Sequence, residues 1–381
     1  MLVEVQRQAL SRHNNFDLIR LLAAYQVVAM HSGEHLQVVM PGVLTFFPGV
    51  PIFFIVSGFL VTASLAHCGS LAEYARNRVL RIYPALWAMT AVTLLLLAAF
   101  GQIGAGTPKL RLLAYVLGQC TVFQIVDGGL GMFRGWGTGA VNGALWTIAT
   151  ELQFYVCLPL MFMLANRFPR QRLWVLLALA LASVALYQLE LPAWTDPTRD
   201  HGTRTGLALT VLYTSLPTHL FGFMIGMFAY LKLPALLPLV RGRFLYWALA
   251  YAAFIALMTL VFGLAGWNLE KNVVAMLCER LLLTGLILSG AFSAEALAHA
   301  LLRGNDISYG VYVYHMLVIN SLLQLGLRGA WPYALAAAAI TAVAAFASWR
   351  WVERPALRLK RRVSVTPRPA AAALAEKPAP H

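Results

Sequence analysis

FDLIRLLAAYQVVAMHSGEH, residues 16–35, reads as a helix that crosses a lipid bilayer while carrying two ionisable side chains on one face. A helix of about 20 residues rises about 30 Å, the thickness of a bilayer's hydrocarbon core. Arg20 and His31 are 11 positions apart. At 100° per residue that is three turns plus about 20°, so both project from one side, about 16 Å apart along the axis. Ionisable groups at membrane depth are costly and face a bundle interior or a cavity rather than lipid. The segment therefore requires neighbouring helices.

The rest of the chain supplies them. Of 381 residues, 60% are hydrophobic and 12% charged, against about 25% charged in soluble domains. With a mean hydropathy of +0.70, this composition excludes a soluble enzyme, a disordered chain and a disulfide scaffold. Ten apolar segments are long enough to cross: 16–38, 46–66, 83–101, 145–165, 173–189, 207–231, 244–264, 272–292, 307–327 and 332–350. The expected fold is an all-α integral membrane protein, a bundle of about ten transmembrane helices. Residues 1–15 read as a cytoplasmic segment without a cleavable signal, 16–362 as the membrane domain, and 363–381 as a disordered Pro/Ala-rich cytoplasmic tail.

The net charge of +14 does not point to nucleic acid, because the cations sit between apolar runs. With both termini cytoplasmic, 20 of the 29 Lys and Arg fall in inner segments and 7 in outer ones, as the positive-inside rule requires. Residues 111–126 are apolar but short. If they crossed, the later cations would divide 15 outside and 5 inside, so this stretch reads as a re-entrant or interfacial helix on the outer side. The four cysteines share no short spacing, and no metal site is expected.

Polar residues inside the spans are the site candidates. Entering from the cytoplasm, the first span places Arg20 near its inner end and His31 in the outer half. Glu34 and His35 follow His31 at i+3 and i+4, and a carboxylate there would fix the imidazole tautomer. Glu151, in GALWTIATELQFYVCLPL, lies at a similar depth to His31 from the outer face. Glu279 and Arg280 are adjacent and read as structural partners across helices. Tyr309 and His315 of the ninth span read as cavity-lining. In EYARNRVLRIYP, Arg78 and Arg81 sit side by side on a helix near Arg76, a cytoplasmic guanidinium fork suited to phosphate.

Together these stretches resemble the acyltransferase type 3 family of membrane O-acyltransferases from Phe16 to about Arg362. The family's Arg-x10-His signature falls on Arg20 and His31, and its FFxxSGFL stretch is FFIVSGFL, Phe53 to Leu60. Its RxxR loop falls on Arg78 and Arg81, and its LWSLxxExxFY stretch is LWTIATELQFY, carrying Glu151. LPTHLFGFMIGMFAY, SYGVYVYH and Glu353-Arg354-Pro355 complete the order. The departures are Thr147, where Ser is usual, and His219, where an apolar or aromatic residue is commoner. No SGNH hydrolase-like domain follows, so a second transfer step in this polypeptide is not expected.

The resemblance implies transfer of an acyl group, commonly acetyl, from cytoplasmic acyl-coenzyme A to a hydroxyl of an extracytoplasmic carbohydrate at the inner membrane. It implies His31 as general base, Glu34 or Glu151 orienting it, Arg20 supporting donor entry, and Arg76, Arg78 and Arg81 meeting the donor phosphates. A covalent acyl-histidine is the alternative within that mechanism. Polar groups inside a bundle also suit a transporter or flippase without acyl chemistry, and a binding or sensor subunit is a third reading.

Overall fold

The computed structural model describes residues 14–122, 132–196, 204–294 and 296–360, and these are built from helices with no strand among them. The ten longest segments are labelled in chain order: α1 (Phe16–His35), α2 (Gly49–His67), α3 (Leu71–Ala99), α4 (Leu145–Arg167), α5 (Arg172–Trp194), α6 (Leu216–Leu231), α7 (Phe244–Leu260), α8 (Val273–Ala291), α9 (Ser308–Gln324) and α10 (Trp331–Ser348). Each overlaps one of the ten apolar segments expected from the sequence. Shorter helices connect them, and α10 runs through a π-helical turn, Trp349–Glu353, into Arg354–Arg358.

Seven stretches of the described residues are long and apolar enough to cross a membrane, those containing α2, α3, α4, α5, α6, α8 and α10. An eighth arises if Leu233–Val240 and α7, bent by 88°, count as one span. Length and composition alone thus account for seven or eight of the ten expected spans. Both α7 and α9 have 17 residues, about 26 Å, and α1 carries Asp17, Arg20, His31 and Glu34. Within 111–126 the helix is Lys109–Gly118, 10 residues or about 15 Å, half a bilayer core. Residues 123–126, 1–13 of the segment expected to be cytoplasmic, and 363–381 of the expected tail lie outside the described residues.

Local chemistry sets the helix ends. Ser70 caps α3 by accepting from the Glu73 N–H at 3.1 Å, and the Glu73 carboxylate reaches back to the Gly69 N–H at 3.0 Å, a near capping box. Asn15 is buried rather than part of a free N-terminal segment. Its amide donates to the carbonyls of Gly290, Ser293 and Ala294, pinning the start of α1 to the end of α8.

Packing between helices relies on small residues where backbones meet. A side chain at Gly58 of α2 would begin 1.9 Å from the Phe223 carbonyl oxygen, and one at Gly226 of α6 would begin 1.9 Å from that of Ile55. The two glycines thus let α2 and α6 cross in backbone contact, with Phe54 stacked on Phe223 at 4.5 Å. Helix α9 packs against both α1 and α10, which brings the polar faces of α1 and α9 together. The segment before α4 is fastened to α9 by Asn142, donating to the Val313 carbonyl (2.8 Å), and by Asn320, donating to those of Ala140 and Val141 (2.9 and 3.0 Å).

Candidate active site

Two histidines from α1 and α9 form one end of the site. His31 Nδ1 lies 2.8 Å from His315 Nε2, and His315 Nδ1 lies 2.6 Å from the Tyr312 carbonyl oxygen. A carbonyl only accepts, so His315 carries its proton on Nδ1 and offers a lone pair at Nε2. With both rings neutral, His31 then donates from Nδ1, and its Nε2 is left as an unprotonated base nitrogen. The backbone of α9 thereby dictates the tautomer of a side chain on α1. His315 is fully buried. His31 lines an open cavity with Gln26, Met30, Pro48, Gly49 and Val50.

One turn further along α2 a second, small cavity opens. Helix α1 contributes Arg20, α2 Phe53 and Ser57, α4 Thr147 and Glu151, and α9 Tyr309 and Tyr312. The Phe53 and Tyr312 rings meet at 5.1 Å. Because Gly49 and Val50 line the His31 cavity and the Tyr312 carbonyl holds His315, this aromatic contact stands between the two spaces. Glu151 accepts from the Ser57 hydroxyl and, at 2.7 Å, from that of Tyr155. The hydroxyls of Thr147 and Tyr312 bond each other at 2.6 Å.

The other end, beside the start of α1, is cationic. Asp306, in the turn before α9, accepts from the Arg20 guanidinium at 3.0 Å and pairs with Arg81 through the same oxygen. Its other oxygen accepts from the Ser308 backbone N–H (3.2 Å) and hydroxyl (2.5 Å), and a carboxylate is well placed at a helix N-terminus. Burial alone would raise this carboxyl, but the Arg81 and Arg20 charges outweigh it and hold it well below the usual carboxylate range. Trp349 fixes the turn by donating to the Asn305 side chain at 3.1 Å. Arg78 donates to the Ser64 hydroxyl at 3.2 Å, lies 5.5 Å over the Tyr155 ring, and keeps a buried Nε with no bonded partner. Arg76 donates to the Leu359 carbonyl at 2.5 Å. Next to it, burial and then the Arg78 and Arg81 charges push the Lys360 ammonium down to about 7.

An acyltransferase-domain family profile matches residues 13–350 of the chain. The protein belongs to the acyltransferase type 3 family. Nodulation protein 10 of Rhizobium leguminosarum bv. viciae is 32% identical to the acyltransferase over 372 residues, covering 92% of this chain and 96% of that protein. No solved structure matches it. With its family and its apolar helices, the acyltransferase is a multi-pass membrane protein.

The acyltransferase gathers most of the residues singled out in its sequence, though with different partners. His31 is oriented by His315; neither carboxylate expected in that role bonds it among the described contacts. Glu34 is exposed, and Glu151 is engaged with Ser57 and Tyr155 in the other cavity. Arg20 and Glu151 share that cavity. Tyr309 lines it, whereas His315 lies behind His31. Arg78 and Arg81 are on one face of α3, but Arg81 is committed to Asp306, so they are not a symmetric fork. The residue missed in the sequence is Asp306. Its signal was present: one of only 15 acidic residues in a chain of net charge +14, two positions before SYGVYVYH. His219 is buried and bonds the Tyr213 carbonyl at 2.7 Å.

Proposed function

We propose that the acyltransferase moves an acyl group, acetyl in the first instance, from cytoplasmic acyl-coenzyme A to a carbohydrate hydroxyl on the far side of the inner membrane. The observation that carries this reading is the relay Tyr312 carbonyl–His315–His31, which leaves His31 Nε2 free to take a proton. In this reading ten helices cross, with α1, α7 and α9 joining the seven apolar stretches, and both termini are cytoplasmic. The distribution of Lys and Arg supports that orientation.

The donor's phosphates meet Arg78, whose Nε is uncommitted, beside Arg76, Arg81 and Lys360. Its thioester passes the Arg20 cavity and reaches His31 once Phe53 and Tyr312 part. There His31 Nε2 accepts the proton of the acceptor hydroxyl as that oxygen attacks the thioester carbonyl. The carbon–sulfur bond breaks, and the protonated His31 returns the proton to the departing thiolate. His315 is a positioning residue: it keeps the His31 proton on Nδ1 and shares the imidazolium charge that forms.

The test is free-thiol release from acetyl-coenzyme A by protein in lipid nanodiscs, supplied with a surface-glycan acceptor fraction. General-base help is worth about 10²–10⁴-fold, so His31→Ala drops release by at least that range with the thermal transition kept. Thiol release surviving in His31→Ala removes this imidazole from the chemistry.

A further inference from the structure

The cavity lined by Arg20 contains a carboxylate oxygen that the protein itself does not use. Both hydroxyls that bond Glu151, those of Ser57 and Tyr155, go to Oε1. Among the described residues no donor is bonded to Oε2. The other polar groups of the cavity each have a partner: Arg20 through one guanidinium N–H with Asp306, Thr147 with Tyr312, and Tyr309, whose hydroxyl donates to the Ile82 carbonyl at 3.2 Å. Glu151 Oε2 therefore presents an anionic acceptor to this cavity.

That chemistry restricts the ligand. A carboxylate away from bulk water needs donors on its remaining lone pairs. A phosphate brought beside it would be repelled, so the phosphates are kept to the cation cluster. What fits is a neutral, slender chain bearing N–H groups. Coenzyme A carries one between its phosphates and its sulfur: the pantetheine arm, with two secondary amides. Resting on the acyl-coenzyme A reading above, we propose that Glu151 Oε2, aimed by Ser57 and Tyr155, accepts a hydrogen bond from a pantetheine amide N–H and so reads the donor's arm. Glu151 is then a donor-binding residue in a cavity separate from that of His31. It steers the arm along the polar line from Arg20 toward the Phe53–Tyr312 contact.

The experiment measures binding of coenzyme A, and of an analogue with both pantetheine amides replaced by esters, to the full chain in nanodiscs by calorimetry. A hydrogen bond to a charged acceptor predicts about 10–100-fold tighter binding of the natural arm. Glu151→Met brings the two ligands within about 3-fold, and Glu151→Gln, a neutral acceptor, gives an intermediate preference of about 2–10-fold. Equal binding of both ligands by the unmodified protein, or a preference retained in Glu151→Met, overturns the proposal while leaving the acyl-coenzyme A reading intact. No binding of coenzyme A at all removes that reading and this one together. Because the unmodified protein gives the first comparison, the outcome does not depend on a variant folding.

Discussion

Two arginine clusters are buried in this bundle, and they differ in what surrounds them. Arg280 on α8 pairs with its neighbour Glu279 and with Glu270. The Tyr251 hydroxyl donates to the other oxygen of Glu279 at 2.7 Å, and that of Tyr187 to the other oxygen of Glu270 at 3.1 Å. Every carboxylate oxygen there has a partner, and neither cavity is lined by the cluster. The sequence led us to expect Glu279 and Arg280 each to pair across helices, with no need to pair with each other; the arginine meets both its neighbour Glu279 and Glu270. Arg20 and Arg81 share one carboxylate, Asp306, but Arg20 also lines the cavity that holds Glu151. A buried ion pair is thus no mark of a functional site on its own. What separates the two clusters is access for a ligand and a polar atom left over to meet it.

Substitution at the two clusters tests that difference. The largest effect is expected from Asp306→Ala, which strands two arginines that are 15% and 11% exposed. Removing one partner of a buried pair costs about 3–5 kcal/mol. Both a lowered unfolding midpoint in detergent and loss of transfer should follow, with Asp306→Asn recovering part of the stability and little of the transfer. Unimpaired transfer in Asp306→Ala would erase the contrast between the clusters.

Arg280→Met should cost a similar ~3–5 kcal/mol by stranding Glu279 and Glu270, yet leave kcat per folded molecule unchanged. Replacing all three charges, Arg280→Met with Glu279→Gln and Glu270→Gln, should restore most of the unfolding midpoint. A fall in kcat in the restored variant would show that this cluster does more than hold helices together.

The smallest effect concerns pH. Lys360 has its ammonium pushed down to about 7, so it is charged below that pH and loses its charge as pH rises through it. The donor phosphates lose a cation in that direction, and KM for acetyl-coenzyme A should climb about threefold between pH 6 and 8, the scale of one screened charge pair. Lys360→Met should raise KM at pH 6 and flatten the rise. The linked stability runs the other way. The unfolded chain, with an ordinary lysine, binds more protons above pH 7, so this residue's contribution to folding stability grows from pH 7 toward 10. A steep KM profile in Lys360→Met would assign the titration to another group.

Much of the site was legible because membrane depth makes polar residues conspicuous. Arg20, His31 and Glu151 stood out against apolar surroundings, the spacing of Arg20 and His31 placed both on one face of α1, and the spacing of Arg78 and Arg81 in a loop marked them as a pair. The partners were not legible. Nothing in the position of Glu34 three residues after His31 shows that its side chain is exposed, and nothing in SYGVYVYH shows that His315 Nε2 sits 2.8 Å from α1. Asp306 escaped because a turn residue at a helix start is ordinarily a local cap, and here it is also the shared counter-ion of α1 and α3.

The sequence by itself determined that this chain is a bundle of apolar helices carrying ionisable groups at depth, because hydropathy and helical period are properties of a segment and its neighbours along the chain. Only the tertiary structure decided which of those groups meet. A hydrogen bond is made or lost within an ångström, and its direction depends on how α9 is rotated against α1 and how closely Gly58 and Gly226 let α2 and α6 approach. Those rotations and approaches are set by packing across the whole bundle, which no single segment encodes.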